Sequence, residues 1–120
     1  MREIKFRAWD NEENRFFPIG KLIWGIKGLE AFREDGWTID KIYSCVIEQY
    51  TGLHDKNGRE IYEGDILRGD GDWVVIFEDS QWGLDCITFG SRHAWLSFCD
   101  CDISRCEVIG NIHENVELIK

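Results

Sequence analysis

The sequence has no long apolar run and little positive charge. No stretch approaches the ~20 apolar residues that a membrane-spanning helix needs, and no apolar segment of a secretory signal peptide follows Arg2, Glu3 and Lys5. Lysine and arginine number 14 against 23 aspartates and glutamates, which gives a formal net charge of −9. Without these two kinds of segment, we expect a cytoplasmic protein. Because a phosphate backbone attracts basic surfaces, we also expect that the protein does not bind nucleic acid directly.

The negative charge is concentrated in the second half of the chain. Residues 61–120 carry 4 basic and 12 acidic side chains, whereas residues 1–60 carry 10 and 11. An acidic surface keeps a small domain soluble and also suits a basic partner. A stripe of carboxylates at phosphate-like spacing would instead suggest a decoy that mimics DNA and inhibits a host nucleic-acid enzyme.

Recognisable catalytic and cofactor motifs are also missing. The chain has no phosphate-cradling glycine loop and no nucleophile elbow. Ser91 and His93 are close in sequence, but closeness in sequence is poor evidence for a catalytic pair. We therefore predict that the protein is not an enzyme and takes no cofactor, with a metal-dependent enzyme as the remote alternative.

Two groups of side chains resemble metal ligands in type but not in spacing. The first contains thiols and imidazoles: Cys86, His93, Cys99, Cys101, Cys106 and His113. Zinc sites favour two residues between paired cysteines, whereas only one separates Cys99 from Cys101. The second contains carboxylates and lacks the regular spacing of a calcium loop: Glu63, Asp65, Asp70, Asp72, Glu78 and Asp79. We predict reduced thiols, turn-forming carboxylates and no bound metal, with Asp65 accepting backbone N–H groups at its turn.

The residues that are present favour a compact β-rich domain. Hydrophobic residues make up 43% of the chain and aromatic residues 13%, enough to bury a core. Short alternating or β-prone runs predict strands at residues 4–9, 15–17, 42–50, 66–67, 73–78, 82–89 and 106–112, and a strand or turn at 94–98. Their spacing in the second half is typical of a small antiparallel barrel. For residues 21–41 the sequence allows two alternatives: a strand over 21–26, or a helical turn over 29–34 that ends at Gly36.

The middle of the chain holds the densest group of turn signals. An apolar run ends at Tyr50, a loop follows, and a second run passes through Ile61 and Tyr62 into a turn. The residues that define this central motif are Gln49, Tyr50, Thr51, Gly52, Leu53, Asp55, Asn57, Gly58, Ile61, Tyr62, Gly64 and Asp65. We predict that they fix the backbone path and carry no chemistry.

Three blocks of the sequence resemble the YopX family of phage and prophage proteins. They are MREIKFRAWD at 1–10, QYTGLHDKNGREIYEGDIL at 49–67 and EVIGNIHEN at 107–115. Val116 departs from the family, which commonly has proline there. The resemblance implies an SH3-like barrel over 49–120 with a β-rich N-terminal segment over 1–48 packed on it, or one continuous domain over 1–120. It also implies a phage or prophage origin and the bacterial cytoplasm, but no activity and no catalytic residues.

The aromatic residues are the remaining candidates for function. Most are expected in the core, while Trp9 and Trp82 lie in polar sequence surroundings and are predicted to be partly exposed. SH3-like barrels often bind peptides through exposed aromatic side chains. We therefore predict a non-catalytic protein-binding or assembly module that uses Trp9 and Trp82, with homo-oligomerisation also expected.

Overall fold

The computed structural model describes residues 4–17, 19–25, 28–34, 39–41, 44–69, 71–78, 81–87, 95–97 and 102–119. The predicted fold class is confirmed in its coarse form, because the protein is mainly β and contains a curled, half-barrel sheet. Within these residues no helix is long and apolar enough to cross a membrane. The chain divides into two compact units, Lys5–Gln49 and Met1–Ile4 with Tyr50–Lys120, called here the first and second units.

The first unit contains two small antiparallel sheets. In one sheet, β1 (Phe6–Asp10) lies between β2 (Arg15–Phe17) and the start of β6 (Cys45–His54). In the other, β4 (Gly28–Glu34) lies between β3 (Lys21–Gly25) and β5 (Ile39–Lys41). The core of the unit is made by small and aromatic side chains and their partly buried neighbours: Ala8, Phe17, Ala31, Ile19, Leu22, Cys45 and Ile47.

The strand that we left open at residues 21–26 is present as β3, whereas the alternative of a helical turn over 29–34 is wrong. Residues 28–34 form β4, which pairs with β3 on one side and with β5 on the other. Two ladders of hydrogen bonds outweigh the weak local preference of Glu30 and Ala31 for a helix. Gly36, the expected end of that turn, lies outside the described residues.

The second unit contains a five-stranded antiparallel sheet in the order β11-β10-β9-β8-β12. The strands are β8 (Asp65–Gly69), β9 (Gly71–Glu78), β10 (Gln81–Cys86), β11 (Trp95–Ser97) and β12 (Glu107–Asn111). The predicted hairpin of residues 66–67 with 73–78 is confirmed as β8 and β9, although both strands extend further into the glycine-rich turn. β7 (Glu60–Tyr62) pairs with the end of β6.

One face of the five-stranded sheet forms the core of the second unit. Alternation along β9 and β10 places Val75 and Leu84 on this face, where both are fully buried. Ile61, Leu67, Ile103, Cys106 and Val108 complete the cluster, and the partly buried Trp73 and Trp82 pack against it. The expected SH3-like barrel is not confirmed, since among the described residues no pairing joins β11 to β12 and closes the sheet.

A tight corner follows β12. The side-chain oxygen of Asn111 accepts from the N–H groups of His113 and Glu114, and the Asn115 side chain accepts from the Asn111 N–H at 3.2 Å. The Asn115 carboxamide occupies the space where a Cβ on Gly110 would be. The φ of Gly110 is not positive, so backbone conformation does not call for glycine here. Close packing against Asn115 does.

We predict that Gly110→Ala lowers the free energy of unfolding by about 1–3 kcal/mol, because the added methyl group displaces the Asn115 side chain. Chemical denaturation measures this loss. In an Asn115→Ala background the same change should cost clearly less, since the obstacle is gone. An equal cost in both backgrounds would show that overlap with Asn115 is not the cause.

Gly58→Ala is the matched control. A Cβ at Gly58 meets no atom within 4 Å, but its φ of 83° lies in the left-handed region. This variant should lose about 1 kcal/mol from backbone conformation alone, and Asn115→Ala should leave that loss unchanged.

Candidate functional site

The central motif folds as predicted from turns and short strands, with one irregularity. β6 and β7 pair at Tyr50 with Tyr62 and at His54 with Glu60, so β6 has extra residues between these two positions. Gly52 lies inside this bulge with φ of 87°. The Thr51 hydroxyl donates to the Ile61 carbonyl oxygen at 2.8 Å and closes the gap. Glycine suits position 52 of this bulge, because a residue with a side chain would be strained at this φ.

Asp55 accepts three backbone hydrogen bonds within the described residues. It is buried, and its Oδ1 accepts from the N–H groups of Asn57 at 2.9 Å and Arg59 at 2.8 Å. Its Oδ2 accepts from the N–H of Val108 at 2.9 Å, which is 53 residues away in sequence. A single carboxylate therefore shapes the loop and attaches it to β12.

The loop over 55–59 covers the outer edge of β12. Besides the Asp55–Val108 bond, the Lys56 N–H donates to the Cys106 carbonyl at 2.9 Å, and the Arg59 guanidinium donates to the Val108 carbonyl at 3.4 Å. Groups that would otherwise form an open sheet edge are thus paired with a loop. The prediction that the motif fixes geometry agrees with these contacts.

Asp65 performs the predicted local role at the next turn. It is buried, and its Oδ2 accepts from the Tyr62 N–H at 2.8 Å. The backbone of the same turn is held from both sides, because the Gly64 N–H donates to Val75 and the Gly64 carbonyl accepts from Ile112. This turn therefore fixes the start of β8 against β9 and the end of β12.

The hydrogen bonds to Asp55 determine its ionisation. Burial by itself would raise the pKa of Asp55, but the N–H groups of Val108, Arg59 and Asn57 and the charge of Arg59 outweigh burial, and the pKa is lowered. The carboxylate is therefore charged and engaged as an acceptor at neutral pH. Its hydrogen bonds give it a structural role in the loop.

Other carboxylates of the second unit are also paired or used in caps. Asp72 accepts two hydrogen bonds from the Arg68 guanidinium, at 2.8 and 3.0 Å, which lowers its pKa. Asp102 accepts from the Ser104 hydroxyl and N–H, and this lowers its pKa. Lys56 lies 3.8 Å from Glu107.

Among the described residues, no group of three or more histidine, cysteine or acidic side chains could hold a metal ion. Cys45, Cys86 and Cys106 are reduced thiols. Several members of the two predicted sets lie outside the described residues: Asp70, Asp79, His93, Cys99 and Cys101. Ser91, the partner considered for His93, lies outside them as well.

The expected exposure of Trp9 is wrong. The side chain is only 5% exposed and packs edge-to-face on Phe16, with ring centroids 5.0 Å apart. Arg7 covers the same Phe16 ring and donates to the buried Glu48 at 2.9 Å. Arg7, a polar neighbour of Trp9 in sequence, is therefore bonded to Glu48 and does not draw the indole into solvent.

Trp82 is partly exposed, as predicted, and has an aromatic partner that the sequence did not single out. It faces Phe77 across the β9–β10 ladder, with ring centroids 5.0 Å apart in an edge-to-face arrangement. Phe77 is 50% exposed, while Trp82 also packs against the core. We call Phe77 and Trp82 the aromatic pair.

The aromatic pair lies where the core-facing side of the sheet reaches solvent. Trp73, Val75 and Phe77 follow one another on this side of β9: Trp73 packs against the core and Val75 is fully buried, whereas Phe77 is 50% exposed. The signal in the sequence was the unbroken apolar run over residues 73–77, which is longer than the core needs. The aromatic pair is the candidate functional site of the second unit.

We predict that Asp55→Asn lowers the free energy of unfolding at neutral pH by about 1–3 kcal/mol, because an amide group cannot accept all three N–H bonds. The folded pKa of Asp55 is lowered, so its contribution is present above the unfolded pKa of about 3.9 and is lost as pH falls through the folded value. Denaturation curves at neutral and acidic pH should show the two proteins converging in acid.

Glu107→Gln is the control, because it removes a partly exposed carboxylate that lies 3.8 Å from Lys56 and accepts no backbone N–H in the described contacts. Its effect at neutral pH should stay below about 1 kcal/mol. A difference between wild type and Asp55→Asn that is independent of pH would contradict the role of the charged carboxylate.

Comparisons with known proteins agree with this fold. No functionally curated protein matches the chain. The crystal structure of protein EF1440 from Enterococcus faecalis matches with a TM-score of 0.66 and 27% identity, covering 100% of both chains. The crystal structure of protein yopX from Bacillus subtilis matches over 100% of both chains with a TM-score of 0.69; at 18% identity it supports the fold alone. The family model described as YopX protein matches residues 5–120, and the chain therefore belongs to the YopX family.

Proposed function

We propose that this protein is a non-catalytic protein-binding or assembly module and that its partner docks on the aromatic pair. The observation that carries the proposal is the half-exposed Phe77 ring packed on Trp82 at the end of the sheet. Aromatic rings of this kind provide a large contact area with little loss of side-chain entropy. Trp82 is anchored in the core, so the site is rigid before the partner arrives.

The charge of the second unit indicates the class of partner. Residues 61–120 carry 12 acidic and 4 basic side chains, and Glu78 and Gln81 are exposed beside the aromatic pair. A partner segment with an apolar or proline side chain next to lysine or arginine would complement both features. Attraction between opposite charges would also increase the rate of association at low salt.

The carboxylate contacts favour this function over a DNA-mimicking decoy. Asp65 is buried, Asp72 is paired with Arg68, and Asp102 caps a turn beside Arg105. A decoy needs carboxylates that are free to replace phosphates along a stripe, whereas these three have structural roles. A metal-dependent enzyme has no ligand cluster to support it among the described residues.

The setting of the proposed function is the bacterial cytoplasm, in a phage or prophage context. The two solved relatives come from Enterococcus faecalis and Bacillus subtilis, both of them bacteria. We also infer that the five-stranded sheet belongs to an SH3-like barrel. The support is the set of short antiparallel strands and the 55–59 loop that covers the edge of β12.

We predict that Phe77→Ala abolishes capture of the partner from bacterial cells that carry or express the phage genes. The change removes the exposed ring but leaves the buried core, so the thermal unfolding temperature should fall only slightly. Affinity capture with quantitative mass spectrometry, followed by direct titration of the captured protein, measures the loss. We expect affinity to fall at least about tenfold, which corresponds to 1.4 kcal/mol.

Trp24→Ala is the matched control, because Trp24 is 79% exposed but lies in the first unit. It should retain the partner. A partner that binds Phe77→Ala as tightly as wild type would rule out the aromatic pair as the docking site. If wild type captures no stoichiometric protein, the proposal of a binding module is wrong.

A further inference from the structure

The β3 strand (Lys21–Gly25) is an edge of its sheet. It pairs with β4 on one side, and the sheet order β3-β4-β5 leaves its other side without a strand among the described residues. An open edge presents N–H and C=O groups that can bind another strand. The edge of β12, in contrast, is covered by the 55–59 loop.

Both faces of β3 expose apolar side chains near this edge. Trp24 is 79% exposed and Ile23 is 38% exposed, and they point to opposite faces because side chains alternate along a strand. Leu22 lies on the same face as Trp24 but packs on the core of the first unit. β3 is therefore exposed to solvent, although its apolar side chains are typical of a strand that is paired on both sides.

The carboxylate of Glu30 lies over the backbone of Gly25. A Cβ on Gly25 would coincide with the Glu30 carboxyl group, so the missing side chain makes room for it. Glu30 faces Ile23 across the β3–β4 ladder, and Gly25 and Ile23 lie on the same face. The Glu30 carboxylate thus lies at this end of β3, while Lys21 at the other end is exposed.

We propose that β3 pairs in antiparallel orientation with β3 of a second copy of this chain, about a twofold axis at Ile23. In this register Lys21 of each copy faces Gly25 of the other, on the face where Glu30 lies. Paired strands are about 4.8 Å apart, so the Lys21 side chain can reach across Gly25 to the Glu30 carboxylate. Symmetry produces this ion pair twice.

The apolar side chains support the same register. Trp24 of one copy faces Leu22 of the other, and the two Ile23 side chains face each other at the axis. Aromatic and β-branched cross-strand pairs of this kind stabilise antiparallel sheets. A register centred on Lys21 would instead place two ammonium groups face to face, which is unfavourable. The sequence of β3 therefore favours the alignment centred on Ile23 over the one centred on Lys21.

The distribution of charge favours a second copy as the occupant of this edge. Residues 1–60, which contain β3, have 10 basic and 11 acidic side chains, whereas residues 61–120 carry most of the net charge of −9. Two copies that meet through β3 join nearly neutral regions. Repulsion between the acidic halves would oppose most other contacts between copies.

A charge-swap experiment tests this interface. Sedimentation equilibrium or light scattering should show a dimer of the wild-type protein at micromolar concentration. Lys21→Glu and Glu30→Lys should each raise the dimer dissociation constant by about tenfold or more, because like charges then face each other. The double variant Lys21→Glu with Glu30→Lys should restore dimerisation, since the opposite charges have only exchanged places.

Controls separate this interface from the proposed partner site. Phe77→Ala should leave the dimer unchanged, and Trp24→Ala should weaken it without affecting partner capture. Far-ultraviolet circular dichroism and thermal unfolding check that each variant is folded; Lys21→Glu, at an exposed position, provides the test if Glu30→Lys is unstable. A wild-type monomer throughout the micromolar range, or a double variant no better than the single ones, would overturn the proposal.

Discussion

The second unit depends on the hydrogen bonds that the carboxylate of Asp55 accepts. A sheet edge normally ends in water or against another strand, but at β12 the acceptor for the Val108 N–H is a side chain from the central loop. The same carboxylate also holds the N–H groups of Asn57 and Arg59. One side chain therefore both shapes the loop and covers the sheet edge.

This dependence explains why a central motif rich in turn residues governs distant parts of the chain. The loop is short and local, but its partners on β12 come 50 or so residues later. Asp65 extends the arrangement to the next turn, where Gly64 is bonded to both Val75 and Ile112. Polar side chains thus fix the ends of strands, whose pairing register the apolar packing of a small core alone would not determine.

The sequence predicts most strands and the central motif because both depend on local chemistry. Alternation and turn residues placed β1, β2, β9 and the central loop correctly, and they identified Asp65 as an acceptor. Contacts between distant segments were the part that could not be read. The burial of Trp9 depends on Phe16 and on the pairing of Arg7 with Glu48. β4 depends on pairing with two neighbouring strands, and the exposure of Phe77 depends on where the core ends.

The proposed partner site and the proposed dimer edge lie in units of different charge. The aromatic pair lies in the acidic second unit, where negative charge would repel a second copy and attract the basic partner that we propose. Ile23 and Trp24 lie in the nearly neutral first unit, where the same repulsion is weak and a second copy can approach. If both proposals hold, the uneven charge of the chain directs a basic partner to one exposed apolar surface and a second copy to the other, since apolar contact alone cannot distinguish them.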